Sequence, residues 1–139
     1  MRLWHQNLVP DLSLQWLIGQ HRECSALRGL GWGKKHSTVD YVFNHSFHKL
    51  WAYHCYVMDW IKYRKPDCKI DPVWYDHDYR GKKIGHDESE FTAPCELILG
   101  GIIYPEHDGA YLFECMSNLF EKQKQGKKPF WSVKDDKTR

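Results

Sequence analysis

Three stretches of this 139-residue chain repeat their apolar positions at the three-and-four spacing of an amphipathic helix. In the first, Leu14, Leu17, Ile18, His21, Cys24 and Ser25 share one side of a helix predicted from about Leu14 to Arg28. Asp11 or Ser13 supplies the capping oxygen and Gly29 the stop. Phe47, Leu50, Trp51, His54, Met58 and Ile61 keep the rhythm in the second, which Asn44 or Ser46 opens and Pro66 ends. The third begins between Pro105 and Asp108, turns Leu112, Cys115, Met116 and Leu119 inward, and stops at Gly126. No stretch alternates convincingly at the period of two that marks a strand. The apolar run Leu97 to Tyr104, broken by Gly100 and Gly101, is compatible with a short buried strand but reads better as a packed loop between helices. The pattern predicts an all-α protein: a single compact domain of about three helices with long loops and an extended N-terminus.

Composition narrows the class. At 16.6 kDa the chain fits one domain, expected over residues 1–131 with a charged tail at 132–139. A domain of this size buries roughly two-thirds of its unfolded surface, so it needs no disulfide or metal to fold. With 42% hydrophobic and 27% charged residues it is neither disordered nor fibrous. No apolar run approaches the roughly 20 residues of a membrane span. The opening Met-Arg-Leu-Trp-His lacks the layout of a signal peptide, so the expected address is the cytoplasm. Five cysteines, odd in number and without a CxxC, read as small buried hydrophobes.

The net charge of +2 hides an uneven distribution. Residues 1–65 carry nine Lys/Arg against four Asp/Glu, residues 66–119 four against eleven, and residues 120–139 seven against three. Two basic ends around an acidic middle suit a polyanion partner. Two glycine-rich basic loops, Arg28 to His36 and Tyr79 to His86, add backbone N–H groups that can approach phosphate. Trp32 in the first offers a stacking surface, and the basic run Lys122 to Lys128 leads into Phe130 and Trp131. Neither loop has Walker spacing. A flexible, soluble turn explains either loop alone; together with the basic tail they favour nucleic acid.

Three constellations invite chemistry. His21-x-Glu23 with Pro94-Cys95 resembles half of a zinc-deaminase signature, but Ile98 stands where the last cysteine belongs. His45 and His48 sit three apart without a third ligand, so no metal is expected. Cys24 lies on the apolar stripe, where a thiol is inert. The third is Arg22-Glu23. Gln15, Gly19, Arg22, Glu23 and Ala26 face away from that stripe, and neighbouring arginines hold the acid ionised. For an arbitrary Arg-Glu pair, an ordinary surface ion pair is the sufficient reading.

Met1-Arg-Leu-Trp4, Gln15-Trp-Leu with Arg22-Glu23, then Lys34-Lys-His36 and, near the end, Lys128-Pro-Phe-Trp131 together resemble the pyrimidine-dimer DNA glycosylases typified by phage endonuclease V. The resemblance spans roughly residues 1–65 and 106–131; the acidic middle does not align. It implies an endonuclease V-like fold and an N-glycosylase with abasic-site lyase activity on damaged double-stranded DNA. No cofactor is implied, and the expected enzyme is a monomer that joins the nucleoid when bound. The N-terminal α-amine is then the Schiff-base nucleophile and Glu23 the glutamate that supports the sugar cation. Arg2 and Arg22 hold phosphates, with Gln15, Arg28, Trp32, Lys34, Lys35, His36, Lys128 and Trp131 as further DNA contacts. The family's enzyme exposes a small residue after losing its initiator Met, whereas bulky Arg2 blocks that removal here, so Met1 itself becomes the nucleophile. Ala26 stands where the family has an arginine, and Arg28 is the expected stand-in. A non-catalytic nucleic-acid-binding protein on the same scaffold is the alternative.

Overall fold

Helix α2, Phe47–Arg64, is covered on nearly every side and organises the rest of the molecule. The computed structural model describes residues 2–33, 39–77, 79–81 and 103–125. Met1, Lys34, Lys35, His36, Lys128 and Trp131 lie outside the described residues, as do most of the run from Leu97, the stop at Gly126 and the boundary at 131/132. Two further helices accompany α2: α1, Leu14–Arg28, and α3, Gly109–Lys124. Short 3-10 helices form at Gln6–Asp11, Asp40–Asn44 and Pro72–Tyr75, and no strand forms among the described residues.

The helix ends follow the predicted signals. Ser13 and Ser46 occupy the N-cap positions of α1 and α2 with extended backbone, though neither side chain makes the expected capping hydrogen bond, and Gly29 closes α1. Gly31 lets the chain turn back tightly, since a Cβ there would stand 2.9 Å from the Ala26 carbonyl oxygen. Asp108 caps α3 by accepting the Tyr111 backbone N–H at 2.9 Å. No described helix is long and apolar enough to cross a membrane.

The core gathers Leu3, Leu8, Val9 and Leu12 from the N-terminal segment, Leu17, Cys24 and Leu27 from α1, and Cys115 and Leu119 from α3 around α2. Full burial of each large aliphatic side chain contributes about 1.5–3 kcal/mol. On α2 the buried set includes Ala52, Tyr53, Cys55 and Val57, well beyond the expected stripe, because the loops and the N-terminal segment cover its far side. On α1 the buried line runs through Leu17, Gln20, Cys24, Leu27 and Arg28, with His21 and Ser25 only partly covered. Polar side chains that bond neighbouring backbone shift the line from where apolarity alone places it.

Arg28 is the clearest correction. Expected at the DNA face, it is wholly buried and its guanidinium is committed inside the protein. Nη1 donates to His54 Nδ1 at 2.9 Å and to the Trp74 carbonyl at 2.7 Å. Nη2 donates to the carbonyls of Asp76 and Tyr79 at 2.8 and 2.9 Å. The rings of Phe47 and Trp74 lie 5.6 and 5.1 Å from the guanidinium carbon. Burial lowers its pKa to about 10, so it stays charged at neutral pH. Trp32, expected as an open stacking surface, is half-buried instead. Its ring meets Phe43 and Phe47 edge-on at 5.1 and 5.4 Å, and the Arg80 guanidinium lies 5.6 Å from its centroid.

Two predictions concern stability. Arg28→Met strands three carbonyls and an imidazole nitrogen, each costing about 1–3 kcal/mol when buried unpaired, so urea unfolding should show a loss of at least about 3 kcal/mol. The second is a pH dependence. Burial drives His54 well below the ordinary histidine value and His107 down to about 3. Both fold neutral, so their contribution is complete above about pH 6.5 and shrinks as the unfolded chain takes up protons the folded one refuses. Each histidine should cost about 1.4 kcal/mol per pH unit below that point. Urea titrations between pH 7.5 and 5 test this, and His107→Gln should flatten the slope.

Candidate active site

The N-terminal segment is laid along α1 and fastened there by one side chain. Gln20 is 2% exposed, in line with the apolar Leu17, Cys24 and Leu27. Its Oε1 accepts the Trp4 backbone N–H at 2.7 Å, and its Nε2 donates to the Arg2 carbonyl at 2.9 Å. The amide thus bonds two peptide groups much as a neighbouring strand does. The Tyr53 hydroxyl from α2 lies 2.7 Å from Gln20 Oε1 and 2.6 Å from the Trp4 carbonyl, with one proton to serve both. From α3, the Tyr111 hydroxyl donates to the Leu3 carbonyl at 2.5 Å.

This docking creates a cleft of about 330 Å³ between the segment, α1 and α3, lined by Arg2, Trp4, Trp16, Gly19, Gln20, Glu23, Asn118 and Lys122. Glu23 is one helical turn beyond Gln20, partly buried, and faces the same space as Arg2. Trp4 and Trp16 meet edge to face with centroids 5.9 Å apart, giving one aromatic side. Gly19 leaves room, since a Cβ there would meet nothing within 4 Å. Arg2 Nη1 donates to Glu114 Oε2 at 2.7 Å, with its guanidinium 5.8 and 5.7 Å from the Trp4 and Tyr111 ring centroids. The cleft therefore combines a carboxylate, two cations, amides and indoles, a set suited to a charged sugar-phosphate carrying a planar base.

The structure brings Arg2 and Glu23 to one cleft, with Gln15 and Arg22 exposed on the neighbouring turns of α1. Arg28 and Trp32 stand apart, in the packing already described. Sequence reasoning missed Gln20, Asn118 and the cleft roles of Trp4 and Trp16, and read Lys122 only as part of a basic run. For Gln20 there was a signal: an amide in register with Leu17 and Cys24 must find buried partners.

The other chemical candidates fall away from this site. Burial pushes the Cys24 thiol up, out of the nucleophilic range. His21 Nδ1 lies 2.7 Å from His54 Nε2, its pKa lowered by burial and then by Arg22 and Arg28. His45 Nε2 bonds the Glu106 carboxylate at 2.9 Å, and His48 is buried. Among the described residues no group of three or more His, Cys, Asp or Glu is placed to hold a metal ion.

The family model for pyrimidine dimer DNA glycosylase matches residues 1–76, more than half of the chain, which therefore belongs to that family of DNA-repair glycosylases. No curated protein and no solved structure matches it significantly.

The open space over Gly19 gives a direct test of the cleft. Gly19→Leu should fold at least as stably, because a mid-helix glycine costs about 0.5–1 kcal/mol relative to alanine. It should lower glycosylase turnover by about a hundredfold, the scale of a ~1 Å misplacement of substrate. Thermal unfolding and single-turnover base release read the two effects separately.

Proposed function

We propose that this protein is a DNA N-glycosylase with abasic-site lyase activity, acting on pyrimidine dimers or related damaged bases in double-stranded DNA. The observation that carries the reading is the meeting of Glu23 and Arg2 in one cleft, with the main chain of residues 2–4 tied to the helix that bears the glutamate. An α-amine suits the task. Its pKa is about 7.7–8.0 against about 10.4 for lysine, so a useful fraction is neutral and nucleophilic at cellular pH.

In the proposed reaction the Met1 amine attacks C1′ of the damaged nucleotide. The glycosidic C1′–N bond breaks, and the base leaves with the electron pair and acquires a proton. Glu23 stabilises the cationic sugar and then moves protons: the amine loses one, O4′ gains one as the sugar ring opens, and an iminium remains. Removal of a C2′ proton expels the 3′ phosphate by β-elimination, and water releases the amine. Arg2, Arg22 and Lys122 offset the phosphate charge, and Gln15 contacts the DNA backbone. Extruding a base costs a few kcal/mol, least at a damaged pair, which phosphate contacts must supply. The chemistry calls on no metal.

Borohydride trapping tests the reading. Untagged protein is mixed, in EDTA, with duplexes carrying a thymine dimer, an abasic site or neither, and the adduct is mapped by mass. An adduct on Met1 with the dimer duplex is expected. An adduct with the abasic duplex alone keeps the lyase and removes the dimer. No adduct from a protein that still binds DNA leaves the non-catalytic nucleic-acid-binding protein. Glu23→Gln should lower incision by about 10²–10⁴-fold while DNA affinity persists; full incision by that variant removes the glutamate from the mechanism.

A further inference from the structure

We propose that Gln20 is a positioning residue for the terminal amine, with Tyr53 holding it in place; the inference rests on the lyase reading above. Helix α1 needs no amide at this position for its own sake, because the adjacent Leu17, Cys24 and Leu27 in the same register are apolar. An amide buried to 2% exposure is costly unless its donor and acceptor are both used. Here both are used on the N-terminal segment: Oε1 on the Trp4 N–H and Nε2 on the Arg2 carbonyl. The Trp4 N–H, which can only donate, and the Arg2 carbonyl, which can only accept, fix which end of the amide is oxygen, and the Tyr53 hydroxyl holds that end from 2.7 Å away.

The tie falls where it matters for a terminal nucleophile. Leu3 is anchored without Gln20, by complete burial and by the Tyr111 hydroxyl on its carbonyl. The Arg2 carbonyl is the last main-chain group in the described chain held by a neighbouring helix, one residue from the proposed nucleophile. Gln20 and Glu23 are three residues apart on one helix, roughly 4.5 Å along its axis. One rigid element therefore sets both the carboxylate and the main chain that leads to the amine. Loss of the amide strands the Trp4 N–H and releases the Arg2 main chain, while the segment stays docked through the buried Leu3 and Trp4, their carbonyl bonds to Tyr111 and Tyr53, and the Arg2 side chain on Glu114. The expected result is slower chemistry on substrate that still binds.

Gln20→Met keeps the length of the side chain and removes both hydrogen-bonding ends; Tyr53→Phe removes only the hydroxyl. Each is compared with the natural protein on an abasic-site duplex, by affinity, by borohydride-trapping rate at saturating duplex and by thermal unfolding. Gln20→Met should bind with unchanged affinity and trap about a hundredfold more slowly, as expected for a misplaced nucleophile. Tyr53→Phe should trap about tenfold more slowly, the effect of one lost hydrogen bond. Trapping by both variants at the natural rate overturns the inference and leaves the lyase reading standing. If Gln20→Met unfolds, Tyr53→Phe decides: slower trapping at unchanged affinity supports positioning, and a natural rate reduces Gln20 to a structural role. No adduct from the natural protein on any duplex overturns the lyase reading itself, and this inference with it.

Discussion

A chain that wraps long non-helical segments around a central helix must satisfy their peptide groups without a sheet to do so. Each buried N–H or C=O left unpaired costs about 1–3 kcal/mol, so a fold of this kind depends on where the hydrogen-bond partners come from. Here they come from long side chains on the helices. Gln20 serves residues 2 and 4, Arg28 serves 74, 76 and 79, and Trp51 serves 75. Arg64, at the end of α2, donates to the carbonyls of Pro10 and Leu12. In return His107, ahead of α3, accepts the Gln6 N–H at 3.0 Å.

That constraint also builds the cleft. Segments tied at single points by helical side chains inherit the helices' rigidity at those points, whatever their own flexibility. The N-terminal segment is tied at residues 2, 3 and 4 by groups from α1, α2 and α3 together, and the cleft opens along that seam. A site assembled this way gathers residues distant in sequence, such as Arg2, Glu23 and Lys122, around a short piece of main chain.

Much of the fold was legible because helices advertise themselves by period and by end signals. Ser13, Gly29, Ser46, Pro66 and Asp108 mark boundaries that local physics alone dictates. The roles proposed for Arg2 and Glu23 came from the family resemblance, whose motifs are short and ordered along the chain. Arg28 was not legible, because a lone arginine at the end of an amphipathic helix looks the same whether it faces phosphate or the carbonyls of a loop fifty residues away. Trp32 failed for a related reason: an aromatic in a glycine-rich loop is a platform only if nothing packs on it, and Phe43, Phe47 and Arg80 do. Asn118 lay beyond reach, since no local pattern tells which face of α3 meets the start of the chain.

The partners of Arg28 carry one more consequence. Its hydrogen bonds end on an imidazole nitrogen and three carbonyls, all neutral, so its positive charge is solvated by dipoles and offset only through space, by the Asp76 carboxylate. Dissolved ions cannot enter the interior to gather around it, and buried charges are screened much less than exposed ones. Surface lysines lose most of their pull on a polyanion as salt rises, whereas a sealed cation keeps a larger share of its field. The fold thus holds a small permanent positive bias that ionic strength attenuates only from outside.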